Sequence, residues 1–267
     1  MRLSIVFPTF LIIALAGGVS YGAAWVQKKH HGQIILTGNY TTANRFYDAE
    51  GNTQRQTQYV KYELNPYFEY GLSDRITLGA NLFLQRSAQG INASWGMGDS
   101  EFFARVHLAQ IHGFVISLQP LVKLPSPTSE TQQPLIGSHD PDAELTLSVG
   151  RGFSLFGRDH FANLDLGYRH RFGAPKDQYR IAATVGMNVS ERLTLMPQLF
   201  VTRSTDIARN AAFTQSSGDD YHLTKLQLSA VYRINSRLNA QAGYFTTLDG
   251  KNTGDGQGVI LSLWRQF

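Results

Sequence analysis

The stretch Lys61-Tyr62-Glu63-Leu64-Asn65-Pro66-Tyr67-Phe68-Glu69-Tyr70 alternates between polar and apolar side chains. Lysine, glutamate and asparagine occupy most of its odd-numbered positions, while tyrosine, leucine, proline and phenylalanine occupy the even-numbered ones. Successive side chains of a β-strand point to opposite faces, so this pattern predicts a strand with one polar and one apolar face.

The same alternation recurs to the end of the chain, with clear repeats at 143–149, 163–169, 226–230 and 239–244. With the turn signals between them, the repeats predict about 12 antiparallel strands, an even number as in bacterial outer-membrane barrels. We expect these strands at 33–46, 57–71, 75–87, 99–111, 114–125, 142–152, 160–172, 178–189, 192–204, 221–234, 237–248 and 257–267. The predicted fold is an all-β, single transmembrane antiparallel up-and-down β-barrel, and a soluble two-sheet sandwich is its main rival.

The composition favours the barrel. Charged residues make up 16% of the 267 residues, below the roughly 25% of an ordinary soluble domain. Beyond the N-terminal region, no run reaches the about 20 apolar residues of a transmembrane helix. There is no cysteine, so stability must come from a source other than disulfides, and a closed barrel with every strand paired supplies it. The net charge of +4 is too small to indicate a nucleic-acid partner.

The first 22 residues have the pattern of a secretory signal peptide. Arg2 supplies the positive start, residues 5–16 form the apolar core, and Ser20 and Gly22 are small residues before a cut at Ala23. We therefore predict a signal peptide at 1–22, a periplasmic N-terminal segment at 23–32 and an outer-membrane barrel at 33–267. An uncleaved membrane anchor is the alternative, although the apolar stretch is short for a span.

The predicted connections fall into two classes. Short turns follow the even-numbered strands, and long polar connections follow most odd-numbered strands, at 49–56, 88–98, 126–140, 207–220 and 249–256. Barrels have short periplasmic turns and long outer loops. We therefore expect the chain in the cell outer membrane with both termini in the periplasm.

The last strand carries Leu263 and Phe267 on its apolar face. A terminal phenylalanine on an alternating strand resembles the signal that the barrel-assembly machinery reads, although Arg265 departs from that pattern. This machinery and outer-membrane lipid are the expected partners. Proline is normally excluded from central strands, so bulges are expected at Pro66, Pro120 and Pro197.

The polar face of the alternation predicts which residues line the lumen. They are Lys61, Glu63, Glu69, Arg105, His107, Lys123, Glu144, Asp165, Arg169, Arg171, Arg180 and Arg233. Basic groups outnumber acidic ones in this set. One interpretation is a network of mutually paired charges that fills a narrow barrel. The other is a polar conduit, mildly positive, that favours anionic or sugar-like solutes.

The sequence predicts no catalytic, cofactor or metal site. The strand histidines, His107, His160 and His170, have no serine and polar companion at the spacing of an outer-membrane phospholipase. Asp219-Asp220 fits a solvated loop better than a protease dyad. His30-His31 fits a periplasmic tail better than a pair of metal ligands.

Two stretches of the first third resemble the outer-membrane proteins grouped around the phenol-degradation meta-pathway transporters. They are Tyr70-Gly71-Leu72-Ser73-Asp74-Arg75-Ile76-Thr77-Leu78-Gly79, and Gly96-Met97-Gly98-Asp99 followed by Phe102-Phe103-Ala104-Arg105. Both ends of the chain resemble the Xag-type outer-membrane proteins, which are encoded beside biofilm-polysaccharide synthesis genes. The matching stretches are Ala24-Trp25, Gly32-Gln33-Ile34-Ile35-Leu36-Thr37-Gly38 and Leu263-Trp264-Arg265-Gln266-Phe267. The resemblance implies an outer-membrane barrel and supplies no catalytic residues.

The leading hypothesis is a passive channel for small hydrophilic or aromatic solutes, or for exopolysaccharide. The alternative is a structural or surface-interaction barrel with a charge-plugged lumen, whose long connections act in attachment or biofilm formation. A barrel hydrolase ranks third, because no catalytic constellation is visible.

Overall fold

The computed structural model describes residues 24–138, 140–207 and 220–267, and its regular structure is β throughout that part of the chain. No helix there is long and apolar enough to cross a membrane. The signal peptide predicted at 1–22 and most of the connection predicted at 207–220 lie outside the described residues. The strands are β1 (Gly32–Tyr47), β2 (Thr53–Ser73), β3 (Ile76–Asn81), β4 (Leu84–Gln89), β5 (Asn92–Met97), β6 (Ser100–Ile111), β7 (Phe114–Leu124), β8 (Asp142–Leu155), β9 (Arg158–Arg171), β10 (Gln178–Asn188), β11 (Leu193–Ser204), β12 (His222–Arg233), β13 (Leu238–Lys251), β14 (Thr253–Gly254) and β15 (Gln257–Gln266).

These 15 segments form one antiparallel sheet that closes on itself. Three strands of the barrel are each interrupted once, giving the pairs β3 with β4, β5 with β6, and β14 with β15. Fifteen segments less three interruptions leave the twelve barrel strands that the sequence predicts. β1 completes the cylinder, because it pairs with β2 on one edge and with β15 on the other.

The seam between β1 and β15 runs from Gln33 opposite Gln266 to Thr42 opposite Gln257. At its end Gly32 N–H donates to the Phe267 carbonyl at 2.9 Å, and Phe267 N–H donates to the Gly32 carbonyl at 3.0 Å. The two ends of the barrel therefore differ. One carries Gly32 and Phe267 with short turns, and we call it the termini end. The other carries the longer connections, and we call it the long-loop end.

One predicted connection is wrong. Residues 88–98 are not a long loop, because β4 and β5 pair up to Gln89 opposite Asn92 around a turn at Gly90-Ile91. The positive φ of 62° at Gly90 suits that turn, since glycine has no Cβ to clash there. The strand tips around the turn are rich in serine, alanine, glutamine and asparagine, so they lack the alternation that marks the apolar band. The connections predicted at 49–56 and 249–256 are shortened in the same way.

The three strand prolines do not lie at bulges, which occur between Ala43 and Arg45, between Gly71 and Ser73, between His107 and Ala109, and between Thr224 and Lys225. Instead, each proline lies opposite a gap in the ladder to one neighbour. Pro66 faces the interruption between β3 and β4, Pro120 faces a gap in β6, and Pro197 faces a gap in β10. Proline has no N–H to donate, so the ladder on that side opens while pairing on the other side continues.

The two faces of the sheet confirm the barrel against the sandwich. Apolar side chains of the last strand point outward, with Leu261 65% and Leu263 52% exposed. Buried positions are mostly polar, and Thr77, Ser117 and Ser148 are fully buried. A soluble sandwich would place these two classes the other way round. An apolar outer surface around a polar interior is the arrangement of a transmembrane barrel.

Candidate functional site

A dense set of ion pairs lies on the inner face of β6 to β10. Glu144 accepts from Arg169 at 2.6 Å and from Arg180 at 2.8 Å. Arg169 also reaches Glu101 at 2.8 Å and Asp142 at 3.5 Å, so it bridges three carboxylates. The side chains of Glu144 and Arg169 are less than a tenth exposed. Charges this deep in a protein must be paired, and these are.

The pairing continues toward the long-loop end. Lys123 Nζ lies 2.7 Å from Asp142 and 3.3 Å from Asp99, and it also contacts Ser138. Arg171 lies 3.9 Å from both Asp142 and Asp220. The carboxylates and cations of this region together are called the ionic cluster: Asp99, Glu101, Lys123, Asp142, Glu144, Arg169, Arg171 and Arg180.

A separate ion pair lies nearer the termini end. Arg105 Nη1 lies 2.8 Å from Glu69, with both side chains almost completely buried. Glu69 also accepts from Gln33 at 2.9 Å and from Gln27 at 2.7 Å, and Arg105 donates to Gln119. Because Gln27 precedes the first strand, this pair joins the wall to the N-terminal segment.

The described part of the N-terminal segment, residues 24–31, enters the barrel. Ala24 is fully buried, its N–H donates to Asn163 at 3.0 Å, and its carbonyl accepts from Ser117. The ring of Trp25 packs edge-on against Phe161, with centroids 6.1 Å apart. The Trp25 carbonyl likewise accepts from Arg105, and the Gln27 N–H donates to Thr77, so wall side chains satisfy several backbone groups that the segment brings into the lumen. The assignment of 23–32 to the periplasm stays a prediction.

Glycines on the wall make room for this segment. A Cβ at Gly150 would lie 2.5 Å from the Trp25 ring, and a Cβ at Gly71 would overlap the Lys28 carbonyl oxygen. Any larger residue would push the segment away. The positions are therefore small because the segment passes close to the backbone.

An apolar cluster lies beside Phe161, the ring on which Trp25 packs. Met196, Val231 and Trp264 form a buried cluster, and Ile35 and Phe161 pack against it. All five lie near the termini end of their strands. With the N-terminal segment, this cluster forms a floor under the rest of the lumen.

Above the floor, on the side opposite the ionic cluster, the lumen contains a cavity of about 360 Å³. We call it the lysine cavity, and its main residues are Asn39, Lys61, Glu63, Lys225, Gln227 and Phe245. Residues of the connection between β13 and β15 line its outer part, so it reaches the long-loop end. Its walls are mostly neutral polar side chains.

The lysine cavity contains two lysines in different situations. Lys61 pairs with Glu63 at 3.0 Å, and Glu63 also accepts from Asn39. Lys225 lies over two rings, 4.8 Å from the centroid of Phe200 and 5.2 Å from that of Phe245. Among the described residues, no carboxylate lies within ion-pair distance of Lys225.

A larger groove of about 1000 Å³ lies elsewhere and faces outward. Its apolar walls come from the outer face of β1, β2, β4, β5 and β15, among them Tyr40, Tyr62, Leu84, Trp95 and Leu261. These side chains belong to the surface that the barrel fold presents to lipid. The lumen, where charges and polar groups converge, is therefore the better candidate for the functional site.

Most predicted lumen residues point inward, and the structure sorts them into groups. Lys123, Glu144, Arg169, Arg171 and Arg180 belong to the ionic cluster. Lys61 and Glu63 line the cavity, and Glu69 pairs with Arg105. Asp165 lies on the wall two residues from Asn163, opposite Ser148. Two others lie apart: His107 is at a bulge near the termini end, and Arg233 is exposed at that rim, donating to the Glu191 carbonyl.

Four charged residues of the lumen are absent from the set predicted from the sequence: Asp99, Glu101 and Asp142 of the ionic cluster, and Lys225 of the lysine cavity. Glu101 alternates with Arg105, Asp142 with Glu144, and Lys225 with Gln227, so period-2 alternation carried a signal for each. Asp99 lies at the interruption between β5 and β6, where alternation stops. With Asp99, Glu101 and Asp142 included, the carboxylates of the ionic cluster match its cations in number. The basic excess that the sequence predicted for the lumen is therefore found near Lys225.

The described residues contain no group of three or more histidine, cysteine or acidic side chains that could hold a metal ion. The predicted terminal residues Leu263 and Phe267 lie on the outer face, and the Phe267 ring stacks on Phe68 with centroids 6.1 Å apart. Their recognition by the assembly machinery stays a prediction.

No protein-family model matches the sequence, and no curated protein matches it. Solved structures do. The COG4313 outer membrane channel from Pseudomonas putida F1 superimposes with a TM-score of 0.73 at 14% identity, over 94% of this chain and 100% of that one. This chain has the fold of an outer-membrane channel.

Two porins are similar at a lower level. The KdgM porin, in a complex with disordered oligogalacturonate, has a TM-score of 0.54 at 8% identity over 88% of this chain and 99% of its own. The NanC porin has a TM-score of 0.52 at 8% identity over 86% of this chain and 98% of its own. The resemblance to outer-membrane barrels is confirmed at the level of fold, while neither finer family, the meta-pathway group or the Xag type, is identified.

Proposed function

We propose that the protein is a passive channel of the bacterial outer membrane, with both termini in the periplasm, that passes small polar solutes through its lumen. The observation that carries the proposal is the lysine cavity, a polar void of about 360 Å³ inside a closed barrel. The similar barrels are named as a channel and as porins, which supports this assignment.

The N-terminal segment makes this a restricted channel. It occupies the termini end of the lumen, and Trp25 adds to the apolar floor there. A small solute needs a limited displacement of this segment, whereas an exopolysaccharide chain needs its complete removal from the lumen. The partly filled lumen therefore supports small solutes over polymers.

Planar-bilayer recording tests the proposal. The purified mature chain should carry a small ion current, and a variant lacking residues 24–30 should carry a several-fold larger one, because the segment no longer fills the termini end. Heat-modifiable migration on a gel checks that both proteins are folded barrels. Absence of current from both folded proteins, at every voltage and salt concentration, would overturn the proposal.

The ionic cluster favours a second candidate, a structural or surface-interaction barrel whose lumen is filled by its own charges. In that case the long connections, chiefly 125–141, act in attachment. Replacing that connection with a short turn should then abolish attachment while leaving the barrel folded, and unchanged attachment would remove this candidate.

A further inference from the structure

We propose that the lysine cavity is a binding site for small hydroxylated carboxylates, which are sugar acids in chemical terms, with the Lys225 ammonium as the group that binds the carboxylate. The proposal names a solute class for the proposed channel and so rests on that function. It follows from the charge, the wall chemistry and the size of the cavity.

The charge of the cavity favours one anionic group. Lys61 and Glu63 compensate each other at 3.0 Å, whereas Lys225 has no carboxylate partner among the described residues. The charges of Lys61 and Arg180 repel that of Lys225, and the charge of Glu63 attracts it. A second anion beside Lys225 would relieve this repulsion, so the cavity attracts a single negative charge.

The aromatic rings hold the ammonium in place without neutralising it. Lys225 Nζ lies 4.8 Å from the ring centre of Phe200 and 5.2 Å from that of Phe245. Cation–π contacts stabilise a cation but leave its hydrogen-bond donors available. Lys123 in the ionic cluster is the contrast, because Asp142, Asp99 and Ser138 already occupy its donors.

The remaining walls suit hydroxyl groups. Asn39, Thr41, Gln227 and Thr247 contribute amides and hydroxyls, each able both to donate and to accept. Phe245 adds an aromatic surface, whose negative face complements the slightly positive C–H groups of a sugar ring. A volume of about 360 Å³ lies at the lower end of the roughly 300–1,000 Å³ typical of small-molecule sites, so a monosaccharide fits the cavity better than a polymer.

Single-channel recording with two probes tests the site. D-glucuronate and D-glucose differ in the carboxylate that Lys225 would bind. In the wild-type channel, we expect glucuronate to interrupt the ion current at a concentration about tenfold lower than glucose, the ratio that one good polar contact supplies. Lys225→Gln should abolish this preference, and Lys225→Arg should keep most of it.

Lys251→Gln is the matched control, because Lys251 lies on the adjacent strand, is partly buried and is outside the cavity. It should leave the preference unchanged. Equal interruption by the two sugars in the wild type, or an undiminished preference in folded Lys225→Gln, would overturn the proposal.

Calorimetric titration of the detergent-solubilised barrel with the same probes separates this proposal from the channel function. Binding of glucuronate that Lys225→Gln removes, in a barrel that carries no current, would support the site and overturn the channel. An ion current through a barrel that does not distinguish glucuronate from glucose in either assay would support the channel and overturn the site.

Discussion

The two sides of the lumen accommodate interior charge in different ways. On the paired side, β6 to β10 carry the ionic cluster, in which Arg169 contacts Glu144 and Glu101 within 2.8 Å. On the open side, β11 to β2 enclose the lysine cavity, where Lys225 contacts rings and faces empty space. Pairing stabilises the barrel but leaves those groups no capacity to bind a solute. An unpaired cation stabilises less and keeps that capacity.

The N-terminal segment contacts both sides of the lumen. On the paired side, Ala24 bonds Asn163 and Ser117, and the tryptophan packs on Phe161. Nearer the termini end, Gln27 donates to Glu69 of β2 and to Thr77 of β3. None of the described residues of the segment lines the lysine cavity. The four changes below test this division, starting with the largest expected effect.

Glu144→Gln removes the carboxylate that Arg169 and Arg180 share. Breaking a buried pair leaves uncompensated charge, so we expect a loss of about 3 kcal/mol in the free energy of unfolding. Denaturant unfolding in lipid vesicles, followed by tryptophan fluorescence, measures it. Glu63→Gln is the counterpart on the open side, where Lys61 is 27% exposed and faces the lysine cavity, and it should cost clearly less than Glu144→Gln. Equal losses would contradict the division into two sides.

Gly150→Val places side-chain atoms where the Trp25 ring lies. We expect the N-terminal segment to be displaced, the ion conductance to rise several-fold, and the free energy of unfolding to fall by about 1–3 kcal/mol through overpacking. Gly152→Val is the control on the same strand, because a Cβ there meets its nearest neighbour at 3.9 Å. Conductance that rises equally in both variants would show that the segment does not restrict the channel.

Glu63→Gln also changes selectivity. It removes the negative charge of the lysine cavity and leaves Lys61 and Lys225. One unit charge about 5 Å from an ion in water is worth about 0.8 kcal/mol. Its removal takes that attraction from potassium and that repulsion from chloride, so the chloride-to-potassium permeability ratio should rise by roughly an order of magnitude. Reversal potentials in a salt gradient measure this ratio, and Glu191→Gln in an exposed turn should not change it. An unchanged ratio in Glu63→Gln would place the ion path outside the cavity.

Asp177 shows how much a carboxylate outside the lumen contributes to stability. The Tyr168 hydroxyl, the Arg171 N–H and the His170 ring hold its pKa at about 2. A lowered pKa contributes stability above the ordinary aspartate value, and this contribution is lost as the pH falls from about 4 through 2. Because Asp177 lies in a connection at the rim with its side chain 23% exposed, solvent screens these contacts, and we expect a loss of less than about 1 kcal/mol, seen as faster hydrogen exchange at 172–177. Asp177→Asn should remove that pH dependence, and a persistent one would assign it to another group.

Much of the fold is predictable because alternation is a local property. The stretch from Lys61 to Tyr70 predicts the two faces of β2, and similar stretches locate the other strands to within a few residues. Alternation does not predict the strands within 88–98, because the strand tips beyond the apolar band carry polar or small residues on both faces. It also does not predict the effect of the prolines, because each proline interrupts the hydrogen-bond ladder to a neighbouring strand and leaves its own strand regular.

The candidate site is less predictable, because its character depends on distances across the barrel. Glu144 and Lys225 both read as inward polar residues, and the sequence does not reveal which one is paired. Pairing depends on which strand tips face each other across the lumen. The position of Ala24-Trp25 in the lumen is equally unpredictable from the sequence. The segment has no alternating pattern, and it contacts the wall only at a few positions, such as Gly150 and Asn163.

The seam between β1 and β15 joins residues from opposite ends of the chain. Thr37 and Ser262, 225 positions apart, bond across it at 2.9 Å, whereas β4 and β5 meet around a turn of two residues. The entropy lost in closing a loop grows with its length, so the seam is the costliest pairing in the sheet and the slowest to form. Until it forms, the outer edges of β1 and β15 offer unpaired N–H and carbonyl groups to any other chain. Aggregation during folding therefore has its natural starting point at these two edges.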